Sequence, residues 1–221
     1  TSVAEEARGL ARADVVLAVQ GDEAAALRAR TTRPVLTIGH PPALDFLSAA
    51  LPARGRAPFG WLGSGNPWNL RAVAALDAAL AGAPELPWLL AGRILRRPGL
   101  VLRSSPTLLP EVAALQDFYG AVDCVLNPMA GGTGLKIKTV EALAAGLPLV
   151  TTREGARGLE DLAGRAFLCA DDPAGFATAC QSLLDHPERR GALGAAAHAA
   201  ARARFSPDAC FGALFEWLQA V

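Results

Sequence analysis

Short apolar runs alternate with longer amphipathic segments along most of the chain, and that alternation narrows the fold more than any other feature. Parallel strands covered on both faces read as near-continuous apolar runs, and each must return through a crossover, usually a helix. The runs "DVVLAVQ" (14–20), "RPVLTIG" (33–39), "APFGWLG" (57–63), "LPWLLAG" (86–92), "GLVLRS" (99–104), "VDCVLNP" (122–128), "LPLVTT" (147–152) and "RAFLCA" (165–170) read as strands. Between them "GDEAAALRAR" (21–30) reads as a helix that Asp22 can cap. A helix over 66–81 has Asn66 as its cap and Pro67 at its first position. Residues 110–119 and 135–145 read as further helices, the second ended by Gly146, and everything from Pro173 onward reads helical. Ser206 and Pro207 open the last of these helices. The segment 40–56, with Pro41, Pro42 and Pro52, reads as a junction, although "ALDFLSAAL" within it can be helical. The expectation is an α/β fold with a doubly wound, mostly parallel sheet and a helical C-terminus. Ligands of such sheets bind at the carboxyl ends of the strands.

Composition excludes several function classes. The 221 residues are 52 % hydrophobic and 6 % aromatic, which suits a packed Ala/Leu/Val core and not a disordered chain. The formal net charge of +0 provides no global field for nucleic acid or anionic membrane. No apolar run reaches the roughly 18 residues a membrane span needs, and no segment reads as a signal peptide. Cys124, Cys169, Cys180 and Cys210 form no CxxC pair, so structural zinc and thioredoxin-like chemistry are not indicated. Three of them lie in apolar stretches as buried thiols, which points to a reducing, cytoplasmic setting. The chain begins Thr-Ser rather than Met, as a piece of a longer chain would.

The segment 127–146, "NPMAGGTGLKIKTVEALAAG", carries the chemistry. Gly132 and Gly134 let the backbone approach a ligand, and a helix start adds a partial positive charge. Lys136 and Lys138 are expected in the first helical turn, where each opposes the helix dipole unless an anion is bound. A phosphate-like ligand is therefore expected. Ile137 breaks both a Walker A and a dinucleotide fingerprint started at Gly132. Trp68 breaks the fingerprint started at Gly63. Lys138 and Glu141 share a helix face. The pair reads either as an exposed ion pair or as a lysine on a diphosphate beside a carboxylate on ribose hydroxyls.

The stretch "NPMAGGTGLKIKTVEALAAGLPLVTTREGARGL" resembles the donor-site segment of GT-B fold glycosyltransferases, in the bacterial group 1 branch of the glycogen-synthase and sucrose-synthase-like superfamily. "FGWLGSGNPWNLRAV" is similar to that family's first C-domain strand, turn and helix. "WLLAGR", "LVLRSS" and "LLPEVAALQDFYGAVDCVLNPM" resemble the strands and helix before the donor loop. "ADVVLAVQGDEAAAL" and "VLTIGHPP" resemble the tail of the N-terminal domain and the linker. The resemblance implies three parts: 1–55 as the end of the acceptor domain with the linker, 56–204 as a Rossmann-like nucleotide-sugar domain, and 205–221 as a C-terminal helix crossing back. It implies Glu141 on the donor ribose, Lys138 and Lys136 on the diphosphate, and backbone contacts from Gly132, Thr133 and Gly134. Gly63 and Ser64 would form the turn facing the cleft, with Arg93 a further candidate. Thr133 stands where many relatives place a glutamate, and the first turn lacks their Arg…Lys pair, with Arg71 the nearest basic residue.

The implied reaction moves a hexose from a nucleoside-diphosphate sugar such as a UDP- or GDP-sugar to a hydroxyl of a glycan, lipid-linked or small-molecule acceptor. It needs no cofactor, and no Asp-x-Asp motif is present to suggest a metal. The partner is a missing N-terminal domain, without which the fragment is expected to be inactive. The location is cytoplasmic or peripheral at the inner membrane. A GT-B-like UDP-sugar epimerase and a non-catalytic nucleotide-sugar-binding domain share the same donor site. His40 reads as a turn residue, and His186 and His198 as surface residues.

Overall fold

The computed structural model describes residues 2–51, 57–83, 85–132 and 134–220, so Thr133 and the end of the expected junction lie outside it. A small first unit pairs β1 (Val16–Ala18) in parallel with β2 (Val35–Thr37), beside α1 (Val3–Leu10) and α2 (Gly21–Arg28). The short helix α3 (Leu44–Ser48) leads to the main sheet. That sheet holds β3 (Ala57–Leu62), β4 (Trp88–Ala91), β5 (Thr107–Leu109), β6 (Val122–Asn127), β7 (Leu149–Thr151) and β8 (Leu168–Cys169). All pairings are parallel, in the order β5-β4-β3-β6-β7-β8. The first strand is central and the order reverses between β3 and β6, which is the Rossmann arrangement with its switch point there.

Helices cover both faces. The helices α4 (Pro67–Leu80) and α7 (Pro173–Asp185) pack Val73, Leu76, Phe176 and Leu183 with Phe59, Trp61 and Leu126. On the other face α5 (Leu115–Tyr119), α6 (Ile137–Ala144) and α8 (Pro187–Phe205) pack Phe118, Val140, Leu143 and Ala197 with Phe46, Val122 and Val125. The last helix, α9 (Pro207–Ala220), lies on α8 and reaches β2. Asn66 caps α4 as the sequence predicts, accepting the Asn69 backbone N–H at 2.8 Å.

Local structure departs from expectation at several points. "GLVLRS" is not a strand; the strand that follows β4, at the edge of the main sheet, is 107–109. The Asp77 carboxylate on α4 accepts the backbone N–H groups of Arg103 (2.9 Å) and Ser104 (2.9 Å), which takes those donors away from any ladder. The helix expected over 110–119 begins only at Leu115, because Asp117 turns back to accept the Ala114 N–H at 3.0 Å. Asp22 does not cap α2. Gln20 holds that position, and Glu23 accepts the Val19 N–H at 2.7 Å. His198 is half-buried, its Nε2 donating to Phe46 O at 2.9 Å, so it ties α8 to α3 and is not a surface residue.

Candidate functional site

The turn after β3 and the loop after β6 flank the switch point. In the turn, Asn69 Nδ2 donates to Ser64 O at 2.9 Å and to Ser64 Oγ at 3.2 Å, and Asn69 is nearly buried. A Cβ at Gly63 would lie 2.3 Å from the Trp61 ring, so only glycine fits. Across the crevice Lys138 Nζ donates to Asn69 Oδ1 at 2.7 Å and lies 5.0 Å from the centre of the Trp61 ring. The first turns of α4 and α6 are thereby joined by a polar contact, with a cavity of about 320 Å³ lined by Asn66, Trp68, Asn69, Gly132 and Lys138 beside it.

The glycine loop needs its glycines. Gly132 (φ 104°) and Gly134 (φ 71°) are left-handed, a region in which side chains are strained. Beneath the loop, Asn127 Nδ2 donates to Thr139 Oγ1 (3.0 Å), which donates to Gly155 O (2.7 Å). Asn127 Oδ1 is buried without a hydrogen-bond partner among the described residues.

The two lysines have different fates. Lys136 is not in the first turn of α6; it is the extended residue preceding it. Its ammonium folds back to donate to Gly132 O (3.1 Å) and Gly134 O (3.2 Å) and pairs with Glu154 at 2.9 Å. Its charge is thus already balanced inside the loop. Lys138 is the lysine at the crevice. Burial draws its pKa down to about 8, against the opposing charge of Glu141.

Glu141, one turn further on, forms no ion pair with Lys138. Its Oε2 accepts from the Tyr119 hydroxyl at 2.8 Å. Burial raises its pKa, while that hydrogen bond, His40 and Lys138 pull the other way. Tyr119 is fully buried, and burial together with Glu141 pushes its phenol far above the ordinary range. A second cavity, about 500 Å³, opens beside Gly63, Ser64, Arg93 and Val112. Arg71 stacks on Trp68 at 5.2 Å, and His186 bonds Ser182 O. The sequence reading missed Asn69, Asn127, Tyr119 and Trp61. Only Asn69 carried a signal, as one of two polar residues, with Asp77, on the buried face of α4.

A doubly wound α/β domain with a polar crevice at its switch point is the class that fold and site define. Residues 64–186 match the group 1 glycosyl transferases, over more than half of the chain, and the chain belongs to that family. Its fold is that of GT-B glycosyltransferases. HepE of Anabaena, solved in complex with UDP, superimposes with a TM-score of 0.78 at 17 % identity, covering 99 % of this chain and 67 % of HepE. Sucrose-phosphate synthase of Thermosynechococcus elongatus gives 0.71 at 22 % identity, covering 99 % and 61 %. The pneumococcal O-GlcNAc transferase GtfA, in complex with UDP and GlcNAc, gives 0.68 at 17 %, covering 95 % and 45 %. No curated protein matches the chain by sequence. The chain therefore spans about two thirds or less of these relatives. No helix among the described residues is long and apolar enough to cross a membrane.

Proposed function

We propose that this chain is the donor-binding half of a glycosyltransferase that moves a hexose from a nucleoside-diphosphate sugar to an acceptor hydroxyl. The observation that carries the reading is the pair Lys138 and Glu141. They lie one helical turn apart at the switch point, each partly buried and each held by its own partner. The lysine meets the diphosphate with the backbone of Gly132 and Gly134, and the carboxylate accepts ribose hydroxyls. HepE bound to UDP-glucose and GtfA bound to UDP and GlcNAc support a uridine nucleotide and a hexose.

In the reaction the bond from the sugar's anomeric carbon to the diphosphate oxygen breaks. A bond to the acceptor oxygen forms, and the acceptor proton leaves to a base. Negative charge grows on the departing diphosphate. The Lys138 ammonium and the N-terminus of α6 offset it, and Lys138 is partly buried, where fixed charges and dipoles are worth more than in bulk solvent. No metal is required in this scheme. The acceptor is bound by a domain beyond this sequence, and the chain alone binds without transferring. Residues 1–55 belong to that acceptor half and its linker, 56–204 form the donor domain, and 205–221 cross back. The setting is cytoplasmic, in keeping with four free thiols.

Titration calorimetry with UDP and GDP tests the proposal. Binding of one of them by the folded chain, weakened in Lys138→Met, is expected. Absence of binding by both overturns it.

A further inference from the structure

The chain's single tyrosine, Tyr119, does not serve the core alone. A buried phenol needs a partner for its hydroxyl, and most find a backbone group or water. This one donates to Glu141 Oε2 at 2.8 Å, a carboxylate on α6 that is itself half-buried one turn after Lys138. The ring cannot swing. Phe118 meets it edge-on at 5.1 Å and 71°, and Phe46 at 5.3 Å and 81°. Phe46 comes from α3, is fully buried, and has its own carbonyl held by His198 Nε2.

A glutamate on a helix ordinarily samples several rotamers about three torsions. With Oε2 pinned, the direction of Oε1 is set before any ligand arrives. Oε1 accepts no hydrogen bond among the described residues. The hydrogen bond also favours the ionised carboxylate against the burial that disfavours it.

The geometry points to Tyr119 as the positioning residue for ribose recognition: it holds Glu141 in the one orientation that reads the ribose hydroxyls, and α3 holds Tyr119. The inference rests on the assignment of Glu141 to the ribose. Preorganised polar groups discriminate strongly against a ligand that lacks the matching hydroxyl, because the site's own group is then left unpaired. Without Tyr119 the carboxylate is free to turn to solvent, and the penalty for a missing hydroxyl shrinks. Phosphate contacts are untouched.

The test compares the better-bound of UDP and GDP with its 2′-deoxy counterpart, by calorimetry on the full chain. Wild type is expected to prefer the ribonucleotide by about tenfold. In Tyr119→Phe that ratio is expected to fall below about threefold through loss of ribonucleotide affinity, with 2′-deoxynucleotide affinity unchanged within about twofold. Phe46→Leu, which loosens the ring and leaves the hydroxyl, is expected to reduce the ratio in part. Thermal unfolding of each variant confirms that folded protein is compared. A Tyr119→Phe protein that keeps the full wild-type ratio overturns the inference while leaving donor binding standing. A wild type that binds without ribose preference overturns the role of Glu141 and, with it, that of Tyr119. Failure to bind either nucleotide overturns the proposed function as a whole.

Discussion

Lys138 Nζ stands 2.7 Å from Asn69 Oδ1, and that contact joins the first turns of α6 and α4, the helices that follow the two segments bordering the switch point. Asn69 is itself oriented by Ser64, whose carbonyl and hydroxyl accept its Nδ2–H groups. The ammonium is thus aimed by the turn after β3. Replacing Lys138 with Met is expected to weaken nucleoside-diphosphate binding by about tenfold to a hundredfold, the range for a charged hydrogen bond. Asn69→Ala, which keeps the charge but frees the chain, is expected to cost less, about threefold to tenfold. Calorimetric dissociation constants check both.

The same lysine makes binding depend on pH. Its pKa in the folded chain lies near 8 because of burial. Above that value the ammonium is lost before a ligand arrives, so diphosphate affinity is expected to fall by up to about tenfold per pH unit. Lys138→Met is expected to remove that dependence. Stability of the unliganded chain runs the opposite way. Between about 8 and the ordinary lysine value of 10.5 the unfolded chain holds a proton the folded chain has released, so stability rises with pH across that window. Urea midpoints of the unliganded chain at pH 7.5 and 9.5 read the stability effect and calorimetric affinities at the same pH values read the binding effect, each with and without the substitution.

Gly146 ends α6 in the left-handed region, φ 69°, with its N–H to Leu143 O at 3.0 Å and the Leu147 N–H to Ala142 O at 3.1 Å. This is a Schellman cap. An added Cβ would also lie 2.3 Å from Ala50 Cβ. Gly146→Ala is expected to destabilise the chain by about 1–3 kcal/mol, from backbone strain plus the displaced contact. Urea unfolding monitored by tryptophan fluorescence measures it.

Asp77 stitches α4 to the segment before β5 through the backbone N–H groups of Arg103 and Ser104 and the Ser104 hydroxyl at 2.6 Å. Burial pushes its pKa up, but these donors outweigh it and hold the carboxyl below its ordinary value. Asp77→Ala leaves those donors unpaired and is expected to cost about 2–3 kcal/mol at neutral pH. Its contribution is present above the carboxyl's unfolded value and is lost as pH falls through the lower folded one. The difference between wild-type and variant unfolding midpoints should therefore narrow under acid conditions.

Among the described residues no three His, Cys, Asp or Glu side chains gather in a way that could hold a metal ion. If Lys138 and the α6 terminus offset the diphosphate charge, a chelator should leave nucleotide affinity unchanged within about twofold. A marked loss of calorimetric affinity in EDTA, restored by a divalent cation, would contradict the metal-free scheme.

Much of the frame was legible along the chain. Asn66 and Pro67 announce the start of α4, and Gly146 announces the end of α6, because caps depend on residues a few positions apart. Apolar runs marked strands wherever neighbours left the backbone free to pair. They failed at 99–104, where a carboxylate 26 residues upstream takes the N–H of Arg103. Run composition holds no information about that competitor.

Within the site the division is the same. The sequence by itself determined a parallel α/β sheet, a glycine loop feeding a helix, and Lys138 and Glu141 on one face, since period and turn chemistry are local. Only the tertiary structure decided which lysine faces the crevice and where each carboxylate oxygen turns. Lys136 is balanced by Glu154, Lys138 meets Asn69 from 69 positions away, and Tyr119 holds Glu141. Charge and hydrogen bonding act through space, so the partner of a side chain is set by which strands lie side by side and not by spacing along the chain.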